Sequence, residues 1–250
     1  TFSEMDKKVH IVANEQSGYF QVVFKVIEML NPKLTGKQVH VDYGIVKLST
    51  GKMSSRTGDV ITAEWLFDEA KSEIEKIIKN VDEFTHEEIE EIKEKVAVGG
   101  IKFIMLYSGS KNDIAFDIQK AVRLDGDSGP YVQYAYASIR SILRRIENRE
   151  WRMENNNKIF KKFNEKDFDL VRKLLHFETA VKNAAANYSP HYICHYLLEL
   201  TAEFSSWYAV NRVLDEEEDL KNARLQLLDS VSAVLKKGLY LLGIETLERM

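Results

Sequence analysis

The chain has 250 residues, 44% hydrophobic and 30% charged with three prolines, which excludes a disordered or collagen-like protein and leaves room for more than one core. Its formal charge of −4 excludes a protein that coats nucleic acid indiscriminately, and its single cysteine, Cys194, excludes an internal disulfide or a thiolate cluster. No apolar run is long enough to span a bilayer, and no basic-then-apolar leader precedes the first element, so a cytoplasmic protein with no membrane partner is expected. The start at Thr1, directly before a strand-like run, is expected to mark a truncated chain.

Val9, Ile11, Val12 and Ala13 predict a short buried strand. Phe20, Phe24, Ile27 and Leu30 then recur at helical spacing until Asn31-Pro32 stops them. Beyond the turn at Gly36, Val39, Val41, Tyr43 and Ile45 alternate with more polar neighbours and predict a second strand, hence a β-α-β unit at the edge of a doubly wound α/β sheet. After Gly58 nearly every segment has the helical period, so the rest is expected to be α.

Leu66, Ala70, Ile74, Ile77 and Ile78 make one helical stripe. Thr85 with Glu88 predicts a capping box ahead of Ile89, Ile92 and Val96. Gly126, Gly129 and Pro130 mark a break, after which Val132, Ala135, Ile139, Ile142, Leu143 and Ile146 share one face of a long helix. The stretch Glu154 to Lys158 reads as a loop. Further helices are expected from Phe168 to Ala185 and from Ser189-Pro190, read as N-cap and first helical residue, to about Asn211. The acidic run Asp215 to Asp219 reads as a solvated turn, and a last helix ends on Gly243 as a left-handed cap. The whole is expected to be mainly α, the carboxy-terminal edge of a Rossmann-like domain over residues 1–60, a helical connector over 61–127 and a helical bundle over 128–250.

The most informative segment runs from Leu48 to Asp59. Glycines flank a Lys, two Ser and an Arg directly after a strand, so the backbone can approach a phosphate and the cations can offset charge on a leaving pyrophosphate. Composition alone favours an exposed polar hairpin over a phosphate loop, because short Gly-Ser-Lys loops are common.

Lys52-Met53-Ser54-Ser55-Arg56 resembles the KMSKS loop of class I aminoacyl-tRNA synthetases in a form that arginyl enzymes use. Val12 to Gln16 and Gly18-Tyr19-Phe20 resemble that family's strand and helix before the loop, and His40 to Val46 resembles the strand leading into it. Phe116-Asp117-Ile118 and Gly129 to Ala135 are similar to the entry into its anticodon-binding domain. Asn222-Ala223-Arg224-Leu225 through Met250 is similar to the closing DALR segment. The resemblance implies an ATP-dependent arginine–tRNA ligase with tRNA(Arg), ATP and arginine as partners, Mg2+ accompanying ATP, no tightly bound cofactor, and a monomer. The HIGH motif and the arginine pocket are expected upstream of Thr1, so the chain alone is expected to be inactive.

By that resemblance Lys52 stabilises pyrophosphate, Gly51, Met53, Ser54 and Ser55 shape the ATP loop, and Arg56 assists, since Ser55 stands where the general loop has its second lysine. Gly44 is expected beside adenine, and Gln16 near the nucleotide or substrate. For tRNA the candidates are Tyr131, Tyr134, Arg140 and Arg144 on the first bundle helix, with Arg145 beside them, and Tyr208 with Arg212 further on. Aromatics stack on unpaired bases and Arg pairs with phosphate; core Tyr and solvated Arg are the plainer alternative. His191, Cys194 and His195 share one helical turn but no further ligand is near, so no metal site is expected. Competing readings are another class I synthetase, such as the cysteinyl enzyme, and a non-catalytic tRNA-binding module.

Overall fold

A computed structural model describes residues 6–48, 62–78, 83–146 and 162–250. The chain divides into two compact units, Thr1–Asp59 with Ser108–Phe116, and Val60–Tyr107 with Asp117–Met250.

In the first unit, β1 (Lys8–Ala13) passes through a 3-10 turn at Asn14–Gln16 into α1 (Ser17–Leu30). The helix stops where Asn31 turns extended ahead of Pro32, because proline disfavours a helical predecessor and cannot donate the next helical bond. β2 (Gln38–Tyr43) returns parallel to β1, in register from Lys8 with Gln38 to Ala13 with Tyr43. This is the β-α-β unit that the spacing predicts. Between helix and sheet, the His10 ring lies 5.2 Å from both Phe20 and Phe24, and His40 stacks on Phe20 at 4.8 Å.

Two expectations for this unit fail. β1 is not buried: Val9 is 40% and Ile11 71% exposed, since alternate strand residues face opposite sides and α1 meets the side that carries His10. Nor is everything after Gly58 helical. β3 (Val46–Leu48) pairs in parallel with β4 (Ile114–Phe116), a strand supplied by a segment that returns to this unit after long helices. Three residues are too short for alternation to register.

The second unit opens with α2 (Ala63–Glu75), whose N-terminus is capped by Thr62 Oγ1 accepting from the Trp65 N–H at 3.2 Å. The predicted capping box then starts α3 (His86–Tyr107): the Thr85 N–H donates to Glu88 Oε2 at 2.8 Å, and the Glu88 N–H donates to Thr85 Oγ1 at 3.2 Å. A short α4 (Ile118–Ala121) leads to α5 (Gly129–Arg144), where Ser128 is the cap and Pro130 sits in the first turn. The helix expected from Phe168 to Ala185 is two, α6 (Glu165–Leu175) and α7 (Phe177–Asn187), meeting at His176. α8 (His191–Val210) and α9 (Glu218–Leu241) complete the unit, and Gly243 takes the left-handed φ of 68° expected of a cap.

Ser189 does not cap α8. Its N–H closes α7 by donating to the Ala184 carbonyl at 2.9 Å, and Pro190 holds the cap position with no side-chain bond. The Asp215 to Asp219 run is not simply solvated either, because Glu216 pairs with Arg224 at 2.9 Å and Glu217 and Asp219 both pair with Lys162. The loop expected over Glu154 to Lys158 lies outside the described residues.

One apolar core runs through α5, α8 and α9 around Ile139, Leu197, Leu200, Trp207, Leu228 and Leu235, all fully buried, and Phe103 of α3 belongs to it. Full burial of such a side chain is worth about 1.5–3 kcal/mol. Through Phe103, α3 shares the bundle's core.

Candidate functional site

In the first unit, parallel pairing of β1 and β2 sets the geometry. Ala13 pairs with Tyr43 at the carboxyl end of both strands, so Gln16 and Gly44, just beyond these ends, lie at the same sheet edge, the edge where open α/β sheets bind ligands. At Gly44 the space for a side chain is taken by this chain's own backbone: a Cβ there would lie 2.3 Å from the Asn112 carbonyl oxygen, and the Gly44 N–H donates to the Ser110 carbonyl at 2.9 Å. A close approach of backbone within the fold is by itself enough to require glycine here. Asp113 accepts from the Ile45 N–H at 2.8 Å and from Lys47 Nζ at 3.2 Å, and these two bonds hold its carboxyl below the usual range. Gly51, Lys52, Met53, Ser54, Ser55 and Arg56 lie outside the described residues.

In the second unit, a cleft of about 490 Å³ is lined by Tyr134, Arg144, Arg145 and Tyr208, with Arg249 and Met250 on another wall. The helical period builds its floor. Tyr134, Ser138, Ser141 and Arg145 follow one stripe of α5, at the spacing that keeps side chains on one face. Tyr134 is 45% and Tyr208 47% exposed, and Tyr208 is backed by Phe204, stacked behind it at 5.8 Å and buried. A rigid, half-exposed aromatic offers a flat face to a base at little entropic cost, and nearby guanidinium groups suit phosphate.

The remaining candidates are elsewhere. The Tyr131 hydroxyl lies 3.2 Å from Ser205 Oγ, at the contact of α5 with α8. Arg212 is exposed, with Asp215 4.0 Å away. Arg140 donates from Nε to Glu248 Oε2 at 2.8 Å, and the Tyr136 hydroxyl donates to Glu248 Oε1 at 2.7 Å. Burial and the Glu248 charge push the Tyr136 hydroxyl up to about 12. Burial opposes ionisation of Glu248, yet the bonds from Arg140 and Tyr136 hold its carboxyl below the usual range.

Sequence reasoning missed Arg249 and Met250 as cleft residues. Arg249 places its Cζ 4.5 Å over the Phe84 ring and donates to the Glu83 carbonyl at 3.2 Å. Only the resemblance of the closing segment touched them. Cys194 is buried, which pushes its thiol up to about 12 and makes it a poor ligand. Among the described residues, no group of three or more His, Cys, Asp or Glu is placed to hold a metal ion, and no helix is long and apolar enough to cross a membrane.

Comparison with known proteins places these features in a family. The catalytic domain of class I tRNA synthetases (R) matches residues 2–118, and the DALR anticodon binding domain matches residues 132–250. The arginine–tRNA ligase of Clostridium acetobutylicum is 35% identical over 246 residues, 98% of this chain and 43% of that protein. The arginyl-tRNA synthetase of Thermus thermophilus aligns with a TM-score of 0.88 at 30% identity, covering 99% of this chain and 42% of that one. That of Plasmodium falciparum, with a TM-score of 0.75 at 20% identity over 98% of this chain and 41% of that one, shares the fold. The chain spans about two fifths of the length of these relatives. With the two models following one another along nearly its whole length, the chain belongs to the arginyl-tRNA synthetase family.

Proposed function

We propose that the full-length protein is an arginine–tRNA ligase, acting in the cytoplasm as a monomer. A carboxylate oxygen of arginine attacks the α-phosphorus of ATP, bound with Mg2+. The bond to the bridging oxygen breaks and pyrophosphate leaves. The terminal ribose of tRNA(Arg) then takes the arginyl group, releasing AMP. Residues 1–60 close the nucleotide site, 61–127 connect, and 128–250 bind the anticodon stem-loop.

In this reading Lys52 meets the charge that develops on pyrophosphate, Arg56 assists it, Gly51, Met53, Ser54 and Ser55 shape the loop, and Gln16 and Gly44 sit at the strand ends beside the nucleotide. The observation that carries the RNA half is the cleft, lined by two half-exposed tyrosines, Tyr134 and Tyr208, together with three arginines, Arg144, Arg145 and Arg249. Tyr131 and Arg212, outside the cleft lining, serve as secondary contacts.

Because Lys52 acts on charge present only in the transition state, Lys52→Ala in the full-length protein is expected to slow arginine-dependent pyrophosphate exchange about 100-fold or more while tRNA(Arg) still binds. Exchange at a near-normal rate removes Lys52 from the mechanism. A protein that binds tRNA(Arg) but performs no exchange in its unsubstituted form is a binding module instead.

A further inference from the structure

Two stripes of α5 do different work. Tyr134, Ser138, Ser141 and Arg145 line the cleft, whereas Tyr136, Arg140 and Arg144, spaced by four, converge on one acid far along the chain, Arg144 reaching the cleft as well. Tyr136 and Arg140 each take one carboxylate oxygen of Glu248, and Arg144 Nη2 donates to the Glu248 main-chain carbonyl at 2.7 Å. Further clamps hold the same segment. Gln133, fully buried, donates to the Glu245 carbonyl at 2.8 Å, Lys95 pairs with the Glu245 carboxylate at 3.2 Å, and Arg249 rests on Phe84. Beyond Glu248 come the two residues that wall the cleft, Arg249 and Met250.

We infer that Glu248 is a positioning residue for RNA binding: held by Tyr136 and Arg140, it seats Arg249 and Met250 in the wall of the cleft, and Arg140 serves this seat rather than the RNA. The inference rests on the reading that the cleft takes tRNA. A segment left loose would have to be ordered when RNA binds, and that entropy would be subtracted from affinity; the clamp removes the cost beforehand. Arg140 is suited to the task because its Nε is already committed to Glu248 and its side chain is only 24% exposed, so its geometry is set before any ligand arrives.

The test uses the full-length protein and a fluorescently labelled tRNA(Arg) transcript, with Kd measured between 50 and 200 mM KCl. Glu248→Gln, which keeps the shape and removes the charge, is expected to weaken binding about tenfold, the size of one lost charge-assisted hydrogen bond. In aminoacylation it should raise KM for tRNA and leave KM for ATP and kcat unchanged, a split that general destabilisation does not produce. Arg140→Ala and Glu248→Ala should not multiply, the double variant lying within about twofold of the weaker single one. The charge swap Arg140→Glu with Glu248→Arg should recover part of the loss. Multiplying effects, with Arg140→Ala lowering the salt slope by about 0.7–0.9, would make Arg140 a phosphate contact and overturn the inference. Wild-type affinity in Glu248→Gln overturns it as well. If Arg145→Ala and Tyr208→Ala both leave Kd unchanged, the cleft is not the RNA site and the reading falls with the inference; if they weaken binding and Glu248→Gln does not, the inference alone falls.

Discussion

Arg224 is 3% and Asp167 0% exposed, and burying a charge pair is costly unless every donor and acceptor is used. Here they are well used. The guanidinium spans both carboxylate oxygens at 3.1 and 3.2 Å, and donates as well to Asn211, Glu216 and the Arg212 carbonyl. Asp167 also accepts from Trp207 Nε1 at 2.8 Å and from the Asn164 N–H at 2.9 Å. Removing one partner leaves the other charge buried, so Arg224→Ala is expected to cost about 3–5 kcal/mol, read from urea unfolding. Arg224→Lys should recover only part of it, because an ammonium cannot bridge two oxygens at this geometry. A loss under about 1 kcal/mol would mean that water solvates the carboxylate once the guanidinium is gone. Little of this network was legible beforehand. Ala223-Arg224-Leu225 stood out as part of a motif, but the partner Asp167 lies 57 residues away, and no periodicity links two polar residues at that distance. The acidic run at Asp215 to Asp219 looked solvated for the same reason.

Elements were legible where burial imposes a period. α1, α2, α3, α5, α8 and α9 all carry apolar stripes at helical spacing, and the Thr85 and Glu88 cap is written within four residues. What escaped was short or non-local: β4 has three residues, and the break at His176 leaves the apolar spacing intact. The crossing of α3 and α5 is of this kind. A Cβ built on Gly129 would stand 2.7 Å from the Gly99 carbonyl oxygen and 2.7 Å from Phe103 Cβ, so the helices touch backbone to backbone. Gly129→Ala must push them apart in a filled core, at an expected cost of about 1–3 kcal/mol, measured as a lower urea midpoint. Gly18→Ala is the control. Nothing lies within 4 Å of its added methyl, and in α1 alanine is favoured over glycine by up to about 1 kcal/mol. Equal effects at both positions would mean that backbone entropy, rather than the crossing, governs Gly129.

At the scale of the molecule, the candidate site was legible as a set of residue types before it was legible as a place. Tyr134, Arg144 and Tyr208 line the cleft, while Tyr131, Arg140 and Arg212 are among the residues that do not. Helical arithmetic explains part of that division, since Arg140 follows Tyr136 and not Tyr134; the rest depends on where the chain's last residues fold back. The units also divide the proposed labour, one carrying the strand ends beside which the nucleotide is proposed to bind and the other the cleft. Loss of Lys52 should raise the barrier to arginine activation without touching RNA affinity, and loss of Arg145 should weaken RNA affinity without touching the chemical step. Independent effects add in free energy. In the full-length protein, Lys52→Ala with Arg145→Ala is therefore expected to lower kcat/KM for tRNA by the product of the single effects, within about twofold. A double variant no worse than Lys52→Ala alone would show that RNA seated in the cleft is itself required to set the Lys52 loop, so that both substitutions remove one and the same interaction.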